Sequence, residues 1–396
     1  MVKDSTNVLT SEKGKYETQI QKITFNKKVV LENPDYTMKS NTLYYYTTTN
    51  IAETEKLTNI LSKDGNKLNA QKGSFYDTEN KIFRFFDGDV ESENSIVYGE
   101  TLFYDEKAQY YEAKKNVSIL NKERNVEVFG DEGKYWEDRQ YSEVYGKALV
   151  RKYFDTDTLL MIADTLITQD GEDAEEKYTL AYPNMRLIKS ELAGRADSMA
   201  YIYADSTVYL YSDPVLWSNK SQITADSINF LIANQEIDQA HLKDNAFAIT
   251  RDTIGNFNQI KGRMMTGYFI NSDMDKLDVE GNGESLYFAV ENDTTIKGLN
   301  KLLCGRIIME FKEGTVSRIS HTIKPEASFT PPHLFEEGDQ NLEGFVWRAD
   351  ERPSQKTIND WRTPKIRDKN RYSFFDEPDA KLIYPENDEI QIITDN

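Results

Sequence analysis

Residues 221–230 read SQITADSINF, and the core of that stretch, Ala225-Asp226-Ser227-Ile228-Asn229-Phe230, returns along much of the chain. Its order is small, acidic, hydroxyl, apolar, any, aromatic. Further clear copies are Gly99-Glu100-Thr101-Leu102-Phe103-Tyr104, Ala163-Asp164-Thr165-Leu166-Ile167-Thr168, Ala196-Asp197-Ser198-Met199-Ala200-Tyr201 and Gly283-Glu284-Ser285-Leu286-Tyr287-Phe288. Weaker ones start at Ser40, Ala70, Gly130 and Gly262, which gives a loose period of about 30 residues, the mark of stacked or solenoidal architectures.

A second beat follows each copy after a polar turn. Val29, Val90, Val117, Ala148, Val215 and Ala246 occupy it, as in DGDVES at 87–92, KNVSIL at 115–120 and DNAFAI at 244–249. Between the beats lie short aromatic or β-branched runs such as IFRFF at 82–86 and TVYLY at 207–211, with no amphipathic helical pattern. Each repeat therefore reads as about three short strands, and the fold class expected is all-β. Strand alternation places positions 4 and 6 of the phrase on one face, so Leu102 sides with Tyr104 and Ile228 with Phe230. Gly or Ala at position 1 suits a close backbone approach, and the acid at position 2 can hydrogen-bond where the strand begins. One buried apolar side chain contributes about 1.5–3 kcal/mol, against roughly 1–2 kcal/mol of backbone entropy per ordered residue, so a single unit does not stand alone.

Composition narrows the task. The 396 residues carry a net charge of −19 spread along the chain, which opposes nucleic acid and anionic bilayer surfaces at long range. One cysteine, Cys304, excludes an intrachain disulfide, and with His241, His321 and His333 it shows no metal-ligand spacing. No run reaches the roughly 18 apolar residues of a membrane-spanning helix, and Met1-Val2-Lys3-Asp4 does not begin a signal peptide, which fits a cytoplasmic protein or a mature form. Gly281-Asn282-Gly283 lacks the surroundings of a phosphate loop and reads as a hairpin turn, and the acidic run 170–176 lacks calcium-loop spacing and reads as a solvated loop. No Gly-x-Ser-x-Gly nucleophile motif occurs, and among 67 acidic residues some paired carboxylates are inevitable.

The series AQKGSFYD, DGDVES, YGETLFYD, KKNVSI, FGDEGKYW and YGKALV, from Ala70 to Val150, resembles the OstA/LptA family of lipopolysaccharide-transport proteins. A weaker match runs from Ala196 to Ile249. Residues 299–334, LNKLLCGRIIMEFKEGTVSRISHTIKPEASFTPPHL, are similar to OstA-like proteins of the Bacteroidetes group. The resemblance implies an elongated, twisted β-jelly-roll or β-taco in the periplasm of a Gram-negative bacterium. By that resemblance the protein is not an enzyme and needs no cofactor; its apolar interior shelters the acyl chains of lipopolysaccharide, and its end strands add to partner jelly rolls. Groove candidates on this reading are Phe83, Phe85, Leu102, Tyr104, Val117, Met199, Ile228 and Phe230, for each of which packed core is the more ordinary role.

The expected organisation is one jelly roll over 1–155, a second over 156–334 continuing the stack, and a polar extension over 335–396. That extension, with Trp347 and Trp361 among many charges, reads as a solvated, partly disordered segment or as an arm that docks on a partner. Two other functions fit the residues: a β-solenoid carbohydrate-active enzyme and a structural envelope scaffold.

Overall fold

The computed structural model describes residues 2–3, 7–234, 236–270, 273–292, 294–312, 315–336, 338–364 and 374. The chain is nearly all β, with many antiparallel strands. It divides into a first unit, residues 1–153 with 363–396, and a second, residues 154–362. Residues 337, 365–373 and 375–396 of the expected extension lie outside the described residues.

In the first unit the strands Ile82–Glu91, Ser95–Asp105, Tyr110–Asn121, Val126–Trp136 and Tyr141–Tyr153 form an antiparallel meander, each paired with the next. The three short strands expected per repeat merge here into two long ones, because each strand bends in the middle and continues. Most of the bends are bulges with one extra residue on the return strand; at Asp87 the return strand has none and stands one for one against Glu100. Lys115 and Asn116 stand opposite Asp131 alone, and Lys27 and Lys28 opposite Asn41 alone. These extra residues take left-handed backbone, with φ of 59° and 53° at Lys115 and Asn116 and 62° and 49° at Lys27 and Lys28. Such a bulge bends the strand and raises its twist.

The repeated phrase and the second beat are thus the two sides of one corner. The phrase bends the outbound strand and the beat follows the bend of the return strand; the Gly283 copy is the exception, since it follows the extra residues Gly281-Asn282 of a return strand. Carboxylates at position 2 receive hydrogen bonds from the neighbouring corner rather than from the start of their own strand. Asn116 Nδ2 donates to Glu100 Oε1 at 2.5 Å, and Asn184 Nδ2 to Asp164 Oδ2 at 3.1 Å. A further copy, Ser11-Glu12-Lys13-Gly14-Lys15-Tyr16, has Glu12 paired with Lys28 at 3.0 Å.

Position 1 is small because the corner is closed. Ala70, Ala163, Ala196 and Ala225 are buried, and a Cβ on Gly130 would overlap Val144 Cγ1 and lie 3.0 Å from the carbonyl of Tyr145. Bending folds each strand into two arms whose inner faces meet. A Cβ built on Gly133, in the first arm, would lie 3.3 Å from Val117 Cγ1 in the second. Phe85, Leu102 and Ala113 of the first arm accordingly share one core cluster with Val117.

The second unit uses the same corners. The strands Glu236–Arg251, Phe257–Ile270, Asp273–Glu291 and Thr295–Lys312 pair in sequence, with one extra residue at Asp244–Asn245 and at Gly281–Asn282. Gly281-Asn282 is therefore a bend inside a strand and not the hairpin turn expected from its sequence. Between residues 178 and 233 the strands break at the corner into short pieces, among them Leu192–Ala196, Val215–Ser218 and Ser221–Thr224. Pro214 directly follows the left-handed pair Ser212-Asp213 and takes the beat position, which shifts Val215 to the opposite face, beside Trp217 and Ala193. The acidic run ends in a short 3-10 turn, Ala174–Glu176, ahead of the strand Tyr178–Tyr182.

Residues 335–336 and 338–361 do not stand off the second unit. Leu342 is buried against Phe247, Ile249, Leu286, Phe288 and Leu299, with Phe335, Phe345 and Trp347 packed around them. A seven-residue helix, Gln355–Trp361, follows, capped by the Ser354 hydroxyl, which accepts from the Thr357 N–H.

Candidate functional site

Between the arms of the first unit, the rows nearest the corner are closed and the rows farther out are open. Phe85 and Leu102 face each other directly and are buried, and Val117 closes on them from the other arm. These three candidates form packed core. One row outward, Phe83 pairs with Tyr104, and both are half-buried.

Those two belong to a longer row of directly paired residues on the inner face: Tyr76, Phe83, Tyr104, Tyr111 and Tyr135. Their rings stack or tilt on one another, at 4.0 Å from Tyr76 to Phe83, 5.9 Å on to Tyr104, 4.4 Å to Tyr111 and 6.0 Å to Tyr135. Tyr111 and Tyr135 are 36% and 38% exposed, so solvent reaches this row. The second arm answers with an aliphatic row, Ile60, Leu68, Val90, Val97, Ile119 and Val128, again directly paired from strand to strand. Phe83 on one side and Val90, Val97 and Ile119 on the other all pack on the same core cluster. The result is a seam, closed at the corner and lined at its mouth by aromatic rings on one arm and branched aliphatic chains on the other.

The phenols Tyr36 and Tyr111 at the mouth are held neutral. Burial pushes the Tyr36 phenol up to about 12, with the nearby Tyr76 adding to it. Burial, then the contacts with Tyr104 and Glu137, raises the Tyr111 phenol as well, and its hydroxyl donates to Glu137 at 2.9 Å. Lys81 reaches the Tyr76 hydroxyl at 3.3 Å, a bond that raises its pKa and places a cation at the rim.

In the second unit Met199 and Ile228 both pair with Leu210 in a buried row that continues through Leu242, Met265 and Val279. Phe230 lies one row outward, half-buried, opposite Val208 and Ala240. That outer row is Tyr201, Val208, Phe230, Ala240, Gly267 and Leu277, apolar but with fewer rings than its counterpart in the first unit.

The structure brings Phe83, Phe85, Leu102, Tyr104 and Val117 together and sets Met199, Ile228 and Phe230 together in the other unit. Sequence reasoning passed over Tyr76, Tyr111 and Tyr135, although YY at 110–111 and the aromatic of the Gly130 copy carry the signal. It also passed over the aliphatic row, which becomes visible only once the strand register is known.

A family model described as OstA-like protein matches residues 1–41. The match covers the Ser11 copy of the phrase, the corner at Lys27-Lys28 and the strand Lys22–Glu32 that turns there. No curated protein matches the chain. Among the described residues no helix is long and apolar enough to cross a membrane.

Proposed function

We propose that the chain is a non-enzymatic transport protein of the periplasm, which shelters the acyl chains of lipopolysaccharide in the seam of its bent strands and joins partners through its end strands. The observation that carries this reading is the pair of facing apolar rows in the first unit, with partly exposed rings at the mouth. An acyl chain laid along such rows gains about 0.8 kcal/mol per buried methylene, so a dozen carbons offer on the order of 10 kcal/mol. An exposed ion pair offers roughly 0–1 kcal/mol. Affinity on this reading resides in the seam, and the rim cation Lys81 meets the anionic headgroup. Because the innermost rows are filled by Phe85, Leu102 and Val117, the lipid occupies the outer rows, where it is also free to leave.

The joining of partners draws support from the last strands of the second unit. Among the described residues Thr315–Thr322 and Glu326–Thr330 pair on one side only, with Thr295–Lys312, and Ile319, Phe329 and, in the turn between the strands, Ile323 are exposed. A strand with one free edge and apolar side chains is suited to strand addition.

Photocrosslinking residues placed at Tyr104 and Ile119 test the lipid reading, with Phe103, on the opposite side of the same strand as Tyr104, as the control. Capture of lipopolysaccharide in cells at 104 and 119 but not at 103 is expected. Equal capture at all three, or none at 104 and 119 in folded protein, would refute the seam as the lipid path.

A further inference from the structure

The outer face of the second arm in the second unit carries two buried glutamines that read a polypeptide backbone. Gln222 donates through Nε2 to the carbonyl of Val346 at 2.7 Å and accepts through Oε1 from the N–H of Arg348 at 2.6 Å. Gln259 repeats the pattern, donating to the carbonyl of Gln340 at 2.9 Å and accepting from the N–H of Leu342 at 2.8 Å. Each glutamine thus serves the carbonyl of one residue and the N–H of the residue two places on, as a neighbouring strand does. They are 1% and 0% exposed and stand in one cross-strand row, Trp217, Gln222, Ile249, Gln259, Leu286. A side-chain amide buried at this depth without such partners is costly, so the row is built around a peptide.

Side chains fix the register. Leu342 fills the apolar patch. Arg348 makes a fork to Asp213, at 2.6 and 2.7 Å, and a second to Glu351, which also pairs with Arg195. Arg352 donates to the carbonyls of Asn219 and Glu191, at 2.8 Å each. None of these contacts belongs to the strand ladders, which pair with one another without residues 340–352. The segment is a ligand of a completed sheet.

We infer that this outer face is a peptide-binding site whose resident is the chain's own segment 340–352, and that the occupant it takes in trans is the same segment of a second copy. Charge complementarity selects that occupant: the face presents Asp213 to an arginine and Arg195 to a carboxylate, and the segment supplies Arg348 and Glu351 at the matching places. Exchange of such an element between copies is a low-cost route to association. It joins molecules through this face, independently of any lipid and of the free strand edges.

In the wild-type chain the tethered segment is present at an effective concentration on the order of millimolar, so a micromolar competitor does not displace it. Loosening the resident from its own side exposes the site while leaving the face intact. The test uses the full chain carrying Arg348→Ala and Arg352→Ala, with a fluorescent synthetic peptide of the wild-type sequence 338–362. Expected are faster amide hydrogen exchange at 340–352, saturable peptide binding to the variant and at least tenfold weaker binding to wild type. Adding Gln222→Ala and Gln259→Ala should abolish the binding. A segment that stays protected after loss of both arginines overturns the inference, as does a released segment whose face refuses the peptide.

Discussion

Asn245 donates through Nδ2 to both carboxylate oxygens of Asp226, at 3.1 Å each, across the corner where the phrase of one strand meets the extra residues of the next. Asn245 also holds φ of 50°, which asparagine tolerates better than most residues. Asn245→Ala should lose both advantages and destabilise the protein by about 1–2 kcal/mol, whereas Asn245→Gly keeps the backbone free and should lose less than about 1 kcal/mol. Urea unfolding of the two variants checks the order, and a larger loss for glycine would contradict the backbone account.

Leu102 and Tyr104 lie two residues apart on one face, yet their substitutions should separate stability from cargo. Leu102→Ala empties a closed core position and should cost about 2–5 kcal/mol. Leu102→Asp, which buries an unpaired charge, should cost about 3–5 kcal/mol or prevent folding. Tyr104→Ala, at a half-buried site, should cost about 1–2 kcal/mol while lowering lipid capture at Ile119. Normal folding of Leu102→Asp would remove Leu102 from the core.

Gly130→Ala drives a methyl group into Val144 and should destabilise by about 1–3 kcal/mol. Gly14 makes the contrasting case. Its added Cβ would meet Phe25 at an ordinary 3.9 Å, so Gly14→Ala should be neutral or stabilise by about 0.4–1 kcal/mol through the unfolded chain. Thermal unfolding of the pair measures both signs.

Tyr36 gives an alkaline limit. Its phenol is raised to about 12 in the folded protein against about 10 in an unfolded chain, so its contribution is complete below pH ~10 and is lost as pH climbs toward 12. Tyrosinate absorbance should show a late-titrating class, and Tyr36→Phe should flatten the fall in stability above pH ~10.

Acid acts on the segment 340–352 through Asp213, whose carboxyl the Arg348 fork holds below the ordinary range. A depressed carboxylate contributes above its unfolded value of about 3.9 and ceases to contribute as pH drops through its folded one. Protection of the amides of 340–352 against hydrogen exchange, relative to an unfolded chain at the same pH, should fall below pH ~4, and Asp213→Asn should weaken that dependence, with Glu351 carrying the rest.

The all-β class was legible because the phrase repeats with strand alternation, and the shared face of Leu102 with Tyr104 and of Ile228 with Phe230 followed from its apolar positions, whereas their cross-strand partners Phe85 and Leu210 became visible only with the register. The bend was not. Nothing in Lys115-Asn116 or Lys27-Lys28 distinguishes a left-handed corner inside a strand from a turn between two strands, and the choice depends on whether the flanking residues keep a common partner. The docking of 335–361 was hidden for a different reason. Its hold rests on Gln222 and Gln259, polar residues in strand positions, whose partners lie 81 to 126 residues away.

The corners also set how such a chain can change length. Outbound strands supply the small corner residue and most return strands the surplus residue, so neither kind can be duplicated or deleted singly without leaving a corner mismatched and reversing the direction of everything after it. Growth or shrinkage is therefore quantised in strand pairs. Variation within a pair is confined to the hairpin tips, where extra residues alter the rim and leave the spine of corners in phase.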